Sequence, residues 1–310
     1  MALSEPDLYS VLDIAQVVRE LSQVRRKWRD SQQRNNEATG RELPSRDVLA
    51  QVLQNLRGVL FPMRLGPSDL RPRGEDFYVG HALDQALHQL LQQVQLELIY
   101  HNRNHQFDAV ALRHAALDVV ARFSRTLPEI RELLDSDVTV AFASDPAAGS
   151  VDEVLLCYPG IEAMIYHRIA HRLHQLGVKL LARLVAEEAH ARTGIDIHPG
   201  AKIGAGFFID HGTGVVIGET AVIGKRVRIY QAVTLGSRRF PVDAEGNLIK
   251  GMPRHPTVED DVVIYAGATV LGRITIGAGA SIGGNLWVTH DVAPGTRLAQ
   301  ARAQREEVAS

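Results

Sequence analysis

Two histidines stand where a six-residue repeat in the second half of the chain is interrupted. His211 lies in Asp210-His211-Gly212-Thr213-Gly214, and His255 lies in Met252-Pro253-Arg254-His255-Pro256. An imidazole, with a reference pKa near 6.5, is the natural base for taking a proton from a hydroxyl near neutral pH. Such a positioned base is worth roughly 10²–10⁴ in rate. Excursions from a rigid repeat are also where binding and chemistry concentrate. A second set, His167, His171 and His174, shares one helix face and has the look of a metal site. The run Arg25-Arg26-Lys27-Trp28-Arg29 is one basic turn in a nearly neutral chain and reads as a solvated helix face, not a nucleic-acid contact. Neither a Walker loop nor a dinucleotide fingerprint occurs.

The elements that must carry these residues fall into two kinds. Of 26 glycines, 18 lie from Gly194 onward, and glycine costs about 1 kcal/mol relative to alanine inside a helix. The first part therefore reads as helix, over roughly 8–29, 107–134, 160–176 and 178–192. Pro44-Ser45 supplies a cap for the Leu49, Val52, Leu56, Leu60 stripe. A second stripe runs Val79, Leu83, Leu87, Leu90, Val94, Leu98, and Pro62 to Glu75 reads as a loop. In the second part, aliphatic residues recur every six positions. Ile197, Ile203 and Ile209 form one phase; Ile217, Ile223, Ile229 and Leu235 a second; Val258, Ile264, Val270, Ile276, Ile282 and Val288 a third. Small or apolar residues follow four places later at Ala201, Ala221, Val227, Val233, Ala268 and Ala280. That period belongs to hexapeptide parallel β-helices, and thirteen hexads make about four coils. The phase slips by two residues at Asp210–Gly214, and a loop of about 22 residues, 236–257, leaves after Leu235.

Composition bounds the rest. The 310 residues carry 34 basic and 36 acidic groups, which gives no bulk support for nucleic-acid or anionic-membrane binding. The single cysteine, Cys157, fits a reducing compartment. No signal peptide and no membrane span are apparent, so a cytoplasmic protein is expected.

The motifs Asp196-Ile197-His198-Pro199-Gly200-Ala201 and Asp210-His211-Gly212-Thr213-Gly214, then Gly218-Glu219-Thr220-Ala221, Gln231-Ala232-Val233-Thr234-Leu235-Gly236 and Arg254-His255-Pro256, stand in this order. With Tyr166-His167-Arg168-Ile169-Ala170-His171-Arg172-Leu173 ahead of them, they resemble bacterial and plant serine O-acetyltransferases over about residues 140 to 290. The resemblance implies an α+β multidomain chain. A helical oligomerisation and substrate-cleft domain, 1–193, would precede a left-handed parallel β-helix of hexapeptide repeats, 194–295. The long protruding loop 236–257 would belong to the β-helix, and 296–310 would be a tail. It implies acetyl transfer from acetyl-CoA to the hydroxyl of L-serine, giving O-acetylserine for cysteine synthesis, in a homotrimer or a dimer of trimers. It also makes the three-histidine face of residues 167–174 structural, so no metal is expected.

Residue by residue, the resemblance makes His211 the catalytic base and Asp196 the acid that orients it, with His255 a second site histidine. Arg254 would meet the serine carboxylate, for which a guanidinium fork is suited. Asp210 and Asp145 would be the acids around the amino group, although Asp145 before Pro146 also suits a helix N-cap. The small residues Gly236, Ala266, Gly267 and Gly284 would let the pantetheine arm of acetyl-CoA lie against the coil edges, and they equally suit tight corners. L-cysteine, isosteric with serine, is an expected competitive inhibitor. The C-terminus departs from the family. Gly295-Thr296-Arg297-Leu298-Ala299-Gln300-Ala301-Arg302 replaces the usual closing turn, and Val308-Ala309-Ser310 lacks a terminal isoleucine. A cysteine synthase complex through that tail is not expected. The rival readings are a β-helix acyltransferase for a sugar or other small alcohol, a γ-class carbonic anhydrase, and a scaffold without chemistry.

Overall fold

The computed structural model describes residues 12–32, 43–102, 108–239 and 242–300. Helix α1 (Ile14–Ser31) belongs to a separate unit, residues 1–42, and is capped by Asp13, whose carboxylate accepts from the Gln16 amide at 2.8 Å. The basic run 25–29 lies on it, exposed. Residues 43–310 form the second unit.

In that unit, α2 (Arg46–Leu60) starts at Ser45, and α3 (Pro62–Leu65) is a single turn inside the expected loop. The long α4 (Glu75–Asn102) buries Ala82, Ala86, Leu90, Gln93, Val94 and Glu97, so its buried face is rotated from the expected stripe, of which Val79, Leu83, Leu87 and Leu98 are only half-buried. The expected single helix over 107–134 is two, α5 (Ala109–Ser124) and α6 (Leu127–Ser144). Pro128 explains the division: proline has no N–H to donate and fits the first turn of a new helix, while Thr126 folds back on the Phe123 carbonyl. Then come α7 (Val151–Cys157), α8 (Pro159–Gln175) and α9 (Lys179–Thr193), which ends on left-handed Gly194. Val178 gives α9 no side-chain cap. The buried Glu97 of α4 does so instead, accepting from the Leu180 and Leu181 amides at 2.9 and 2.8 Å.

The strands then come three to a coil. The first coil is β1 (Asp196–Ile197), β2 (Lys202–Ile203) and β3 (Phe208–Ile209); the second is β4 (Val216–Ile217), β5 (Val222–Ile223) and β6 (Arg228–Ile229). The third is β7 (Thr234–Gly236), β8 (Thr257–Val258) and β9 (Val263–Ile264), and the fourth β10 (Thr269–Leu271), β11 (Thr275–Ile276) and β12 (Ser281–Ile282). A fifth coil adds β13 (Trp287–Val288) and β14 (Arg297–Leu298). All pairing between these strands is parallel, and they stack into three faces: β1-β4-β7-β10-β13, β2-β5-β8-β11 and β3-β6-β9-β12-β14. This is the expected left-handed parallel β-helix. Each of the thirteen aliphatic positions lies in a strand, and the six small or apolar positions are fully buried.

Residues 297–298, expected in the tail, form a strand on the third face. Arg297 pairs with Ser281 and Val292 bridges Ile276, so the last coil is two residues shorter than the eighteen-residue norm. That shortening removes Leu298 from the hexad phase and hides it from the sequence. The residues from 301 onward lie outside the described ones.

The helices do not stand apart from the β-helix. One buried core runs from Leu49 to Val292. Arg168 on α8 grips Asp137 on α6 with two bonds of 2.7 and 2.8 Å and donates to the Gly204 carbonyl, while Asp137 accepts from the Phe207 amide. Burial pushes the Asp137 carboxyl up, and Arg168 opposes that shift. A buried pair with every bond made fixes relative placement more than it adds stability. Gly160 lets α8 touch β3: a Cβ there would sit 2.3 Å from the Ile209 carbonyl oxygen.

Candidate active site

The corner between the third and first faces carries His211. Residues at this corner turn with positive φ in successive coils, at Gly194, Ala232, Gly267 and Asn285. In the second coil the turn is enlarged. Asp196 pairs with Val216, twenty residues on, whereas Val216 pairs with Thr234, eighteen on. The two extra residues make the bulge, with His211 at φ 60°, Gly212 at 90° and Gly214 at 78°. A non-glycine residue held there costs on the order of 1 kcal/mol, the kind of local strain that clusters at functional sites. The bulge rests on the coil below, where the Gly214 amide donates to the Gly194 carbonyl at 2.9 Å. Gly212 leaves room for Ile195, whose Cδ1 would be 2.5 Å from a Cβ at that position. His211 thus lies over the segment that contains Asp196. Its side chain is 71 % exposed, and its Nε2 stands 3.9 Å from Asp210 Oδ1. Asp196 is half-buried and makes no hydrogen bond to the ring; its amide donates to the Val215 carbonyl.

Around this corner lies a polar group that the sequence did not reveal in full. Arg228 binds Asp210 Oδ2 at 2.5 Å and the Ser144 carbonyl at 2.9 Å, and sits over the rings of Phe208 and Tyr230. Asp210 is therefore buried, with one oxygen engaged and Oδ1 turned to His211. Asp145 ends α6 instead of beginning a helix, and its carboxylate accepts from the Ala147 amide and from the Tyr158 hydroxyl, the latter at 2.5 Å. The Tyr158 bond, then the Ala147 bond, hold the Asp145 carboxyl below the usual carboxylate range, and the charges of Arg228 and His211 act the same way. The same bond, with burial and the Asp145 charge, pushes the Tyr158 hydroxyl up to about 12. At neutral pH Asp145 is therefore an anion. Tyr158 and Arg228 lie outside the family strings and give no local signal.

The corner between the first and second faces carries Arg254 and His255, where the long loop returns. His255 is buried at 6 % exposure. Its Nδ1 accepts from the Thr220 amide at 3.1 Å and lies 2.9 Å from Thr220 Oγ1; that oxygen in turn accepts from the Arg254 and His255 amides at 2.9 and 3.1 Å. Because Nδ1 is an acceptor, the neutral ring carries its proton on Nε2. Burial lowers the His255 pKa to about 4, and the Arg254 and Arg273 charges add to this against Glu219. Gly218 lies flat against the ring: a Cβ there would be 2.0 Å from Cδ2. Arg254 pairs with Glu219 at 2.7 Å. Burial pushes the Glu219 carboxyl up, but that bond and the surrounding positive charges outweigh it and hold the group low. Arg273 donates to the Thr220 and His255 carbonyls, both at 3.1 Å.

The two groups of site residues therefore occupy different edges of the first face. His211, Asp210 and Asp145 share one neighbourhood with Tyr158 and Arg228; Arg254 and His255 share the other with Thr220, Glu219 and Arg273. Of the residues expected against acetyl-CoA, Ala266, Gly267 and Gly284 stand in the column of corners above the His211 bulge, in the fourth and fifth coils. Gly236 lies at the other edge, where the loop departs, beside Leu271.

On α8, His167 is buried and shifted well below its ordinary pKa, first by burial and then by the neighbouring His171, Arg168 and His198. His171 Nδ1 lies 2.8 Å from the Pro199 carbonyl oxygen, and His174 packs edge-on against His198. Among the described residues, no group of three or more His, Cys, Asp or Glu is placed to hold a metal ion. No described helix is long and apolar enough to cross a membrane.

No family model matches the chain. It is 54 % identical over 272 residues to a plasmid-borne serine acetyltransferase of Synechococcus elongatus, covering 86 % of this chain and 85 % of that one. It is 52 % identical over 158 residues to the serine acetyltransferase of Mycobacterium tuberculosis, covering 51 % of this chain and 65 % of that one. Among solved structures, serine acetyltransferase isoform 3 of Entamoeba histolytica in complex with cysteine superposes with a TM-score of 0.68 at 36 % identity, over 83 % of this chain and 84 % of that one. The Neisseria gonorrhoeae enzyme in complex with serine superposes at 0.53 and 29 % identity, over 84 % and 97 %. The chain belongs to the serine acetyltransferase family.

Proposed function

We propose that His211 is the general base of this serine acetyltransferase, which transfers acetyl from acetyl-CoA to the hydroxyl of L-serine, yielding O-acetyl-L-serine and CoA on the way to cysteine. The observation that carries the assignment is the enlarged corner itself. It costs two residues and a left-handed histidine, and it presents an open imidazole beside the acids Asp210 and Asp145. His211 removes the serine hydroxyl proton as the oxygen attacks the thioester carbonyl, then returns that proton to the departing thiolate of CoA. Asp210, 3.9 Å from the ring, balances the positive charge His211 gains on taking the proton, Asp196 is the acid that orients the ring, and Asp145 receives the serine ammonium.

Arg254 receives the serine carboxylate. His255, neutral with its proton on Nε2, serves as a hydrogen-bond donor to the substrate or to the oxyanion, not as a second base. Arg254 and His255 lie at another corner of the prism, so a second copy of the chain completes the site, in a trimer whose clefts join unlike corners. The helical residues 1–193 would serve assembly and the substrate cleft, and 194–295, with its loop 236–257, the transfer itself. Ala266, Gly267 and Gly284, in the column above His211, and Gly236 would border the pantetheine arm. L-Cysteine would compete with serine, in keeping with the cysteine complex of the Entamoeba relative. The compartment proposed is the cytoplasm. No cysteine synthase complex through the C-terminus is proposed; Val308-Ala309-Ser310 lies outside the described residues.

The test is thiol release from acetyl-CoA with L-serine, wild type beside His211→Ala, with homoserine, threonine and a galactoside as other acceptors. Serine-dependent release that collapses in the variant supports the assignment. Full activity of the variant would remove His211 as the base, and preference for another acceptor would move the substrate.

A further inference from the structure

Both acids assigned to the serine ammonium are held by side chains that the chemistry described so far does not employ. Arg228 on β6 pairs in register with Phe208 of β3 on the third face. Its Nη2 donates to Asp210 Oδ2 at 2.5 Å, and its Nη1 donates to the Ser144 carbonyl at 2.9 Å. Ser144 is the last residue of α6, so the guanidinium also answers an end carbonyl of that helix, where a cation is favoured. The next residue is Asp145, whose Oδ2 accepts from the Tyr158 hydroxyl at 2.5 Å. With its pKa pushed up to about 12, that hydroxyl keeps its proton and remains a donor.

These contacts close on themselves. Tyr158 stacks on Phe208 with ring centroids 6.4 Å apart, and the Arg228 guanidinium lies 5.0 Å from the Phe208 ring and 4.7 Å from that of Tyr230. A circuit therefore runs from Asp145 through Tyr158, Phe208 and Arg228, and back through the Ser144 carbonyl to Asp145. It joins the end of α6, the start of α8 and the third face at the His211 corner. The Arg228 Nε is buried without a hydrogen-bond partner among the described residues, so the side chain is not placed for its own full bonding. Arg228 also cancels one of the two carboxylates, which leaves one negative charge for one ammonium.

We infer that Arg228 and Tyr158 are positioning residues for the amino group of the acceptor. Arg228 fixes Asp210 relative to the helix end that bears Asp145, and Tyr158 fixes the Asp145 carboxylate. The inference rests on the reading that these two acids receive the serine ammonium, and adds what makes this chain select an acceptor that carries one.

The test uses the full chain and two ligands of the acceptor site. L-Serine is read by its KM; 3-hydroxypropionate, which is serine without the amino group, is read by its Ki against serine. Arg228→Met should raise the serine KM about tenfold or more, as loss of charge-assisted bonds predicts, and change the Ki less than about twofold. Arg228→Lys keeps the charge but not the fork that reaches both partners, and should recover part of the loss. Tyr158→Phe keeps the ring on Phe208 and removes only the hydroxyl, so it tests the idea even where Arg228→Met does not fold. It should raise the serine KM about fivefold. The KM for acetyl-CoA should stay as in wild type throughout. An unchanged serine KM in Tyr158→Phe or in folded Arg228→Met overturns the inference, and so does a Ki that rises as much as the KM, which is what a merely loosened fold would give. Asp145→Asn in the same assay separates the inference from its premise. If Asp145→Asn leaves the ratio of Ki to KM unchanged, the ammonium assignment falls and the inference with it. If Asp145→Asn abolishes the advantage of serine while Arg228→Met and Tyr158→Phe preserve it, only the positioning role falls.

Discussion

The two corners that bound the first face of the β-helix hold their histidines in opposite ways. His211 stands on an enlarged, left-handed turn, largely exposed, with its nearest acid at 3.9 Å and no hydrogen bond fixing the ring. His255 is buried, its ring laid on Gly218 and its Nδ1 held by Thr220, while Arg273 holds the backbone behind it. The open ring is able to exchange protons with a substrate. The closed ring, with a pKa of about 4, keeps one tautomer and one charge through the neutral range. The same coil geometry thus leaves one imidazole open at one edge and locks another at the other, as the proposed roles of base and fixed donor require. In the proposed reading, a partner copy unites the two edges.

The sharpest way to break this contrast is to remove the open ring. His211→Ala should lower kcat by roughly 10²–10⁴ while circular dichroism and thermal unfolding stay as in wild type, because an exposed ring contributes little packing. If His255→Asn lost as much and shifted the acid limb of the pH–rate profile in the same manner, the two rings would not have different roles. The next largest effect tests the separation of the corners. Chains with His211→Ala and chains with Arg254→Ala, each nearly inactive, should regain activity when unfolded together and refolded as a mixture, since some clefts then receive both intact corners. A mixture no more active than its parts would place the complete site within one chain.

A smaller effect is expected from loosening the closed ring without removing it. Thr220→Val deletes the hydroxyl that lies 2.9 Å from Nδ1 and accepts from two amides, and should reduce kcat/KM at least about five- to tenfold, the effect of losing a single hydrogen bond. Gly218→Ala should do at least as much, because the ring must shift. Normal activity in both would show that the position of His255 is not critical. The last effect is read on stability and not on rate. His255 and His198 both have folded-state pKa values lowered to about 4 by burial, against about 6.5 when unfolded. Between those values the unfolded chain binds more protons, so stability is present above about pH 6.5 and declines as pH falls toward 4. A melting temperature that rises from pH 6.5 to 4.5 would contradict the burial of these rings.

Local pattern carried a large share of this molecule. The thirteen aliphatic positions all fall in strands, and the boundary of α9 at Thr193 follows from Gly194, because hexad spacing and a left-handed cap are properties of a few adjacent residues. The interruptions around His211 and His255 were visible as phase errors for the same reason. What was not visible depends on residues distant in sequence. The Glu97 cap on α9 spans 83 residues, the Arg228 bond to Ser144 spans 84, and the bridge from Val292 that precedes β14 appears only once the coils are stacked. Asp145 was in view as a residue before proline, but its role as the partner of Tyr158 was not, since a helix end and a loop end look alike until α8 packs beside it.

The sequence by itself determined that the second half must coil with a six-residue period and that two histidine-bearing segments must leave the coil, because period and its interruption are local constraints on backbone and burial. Only the tertiary structure decided which edge each segment occupies, which imidazole is open and which is locked, and that Arg228 joins Asp210 to the end of α6. Those outcomes depend on how many residues each coil takes to return to its starting face, a sum over the whole turn that no single motif contains.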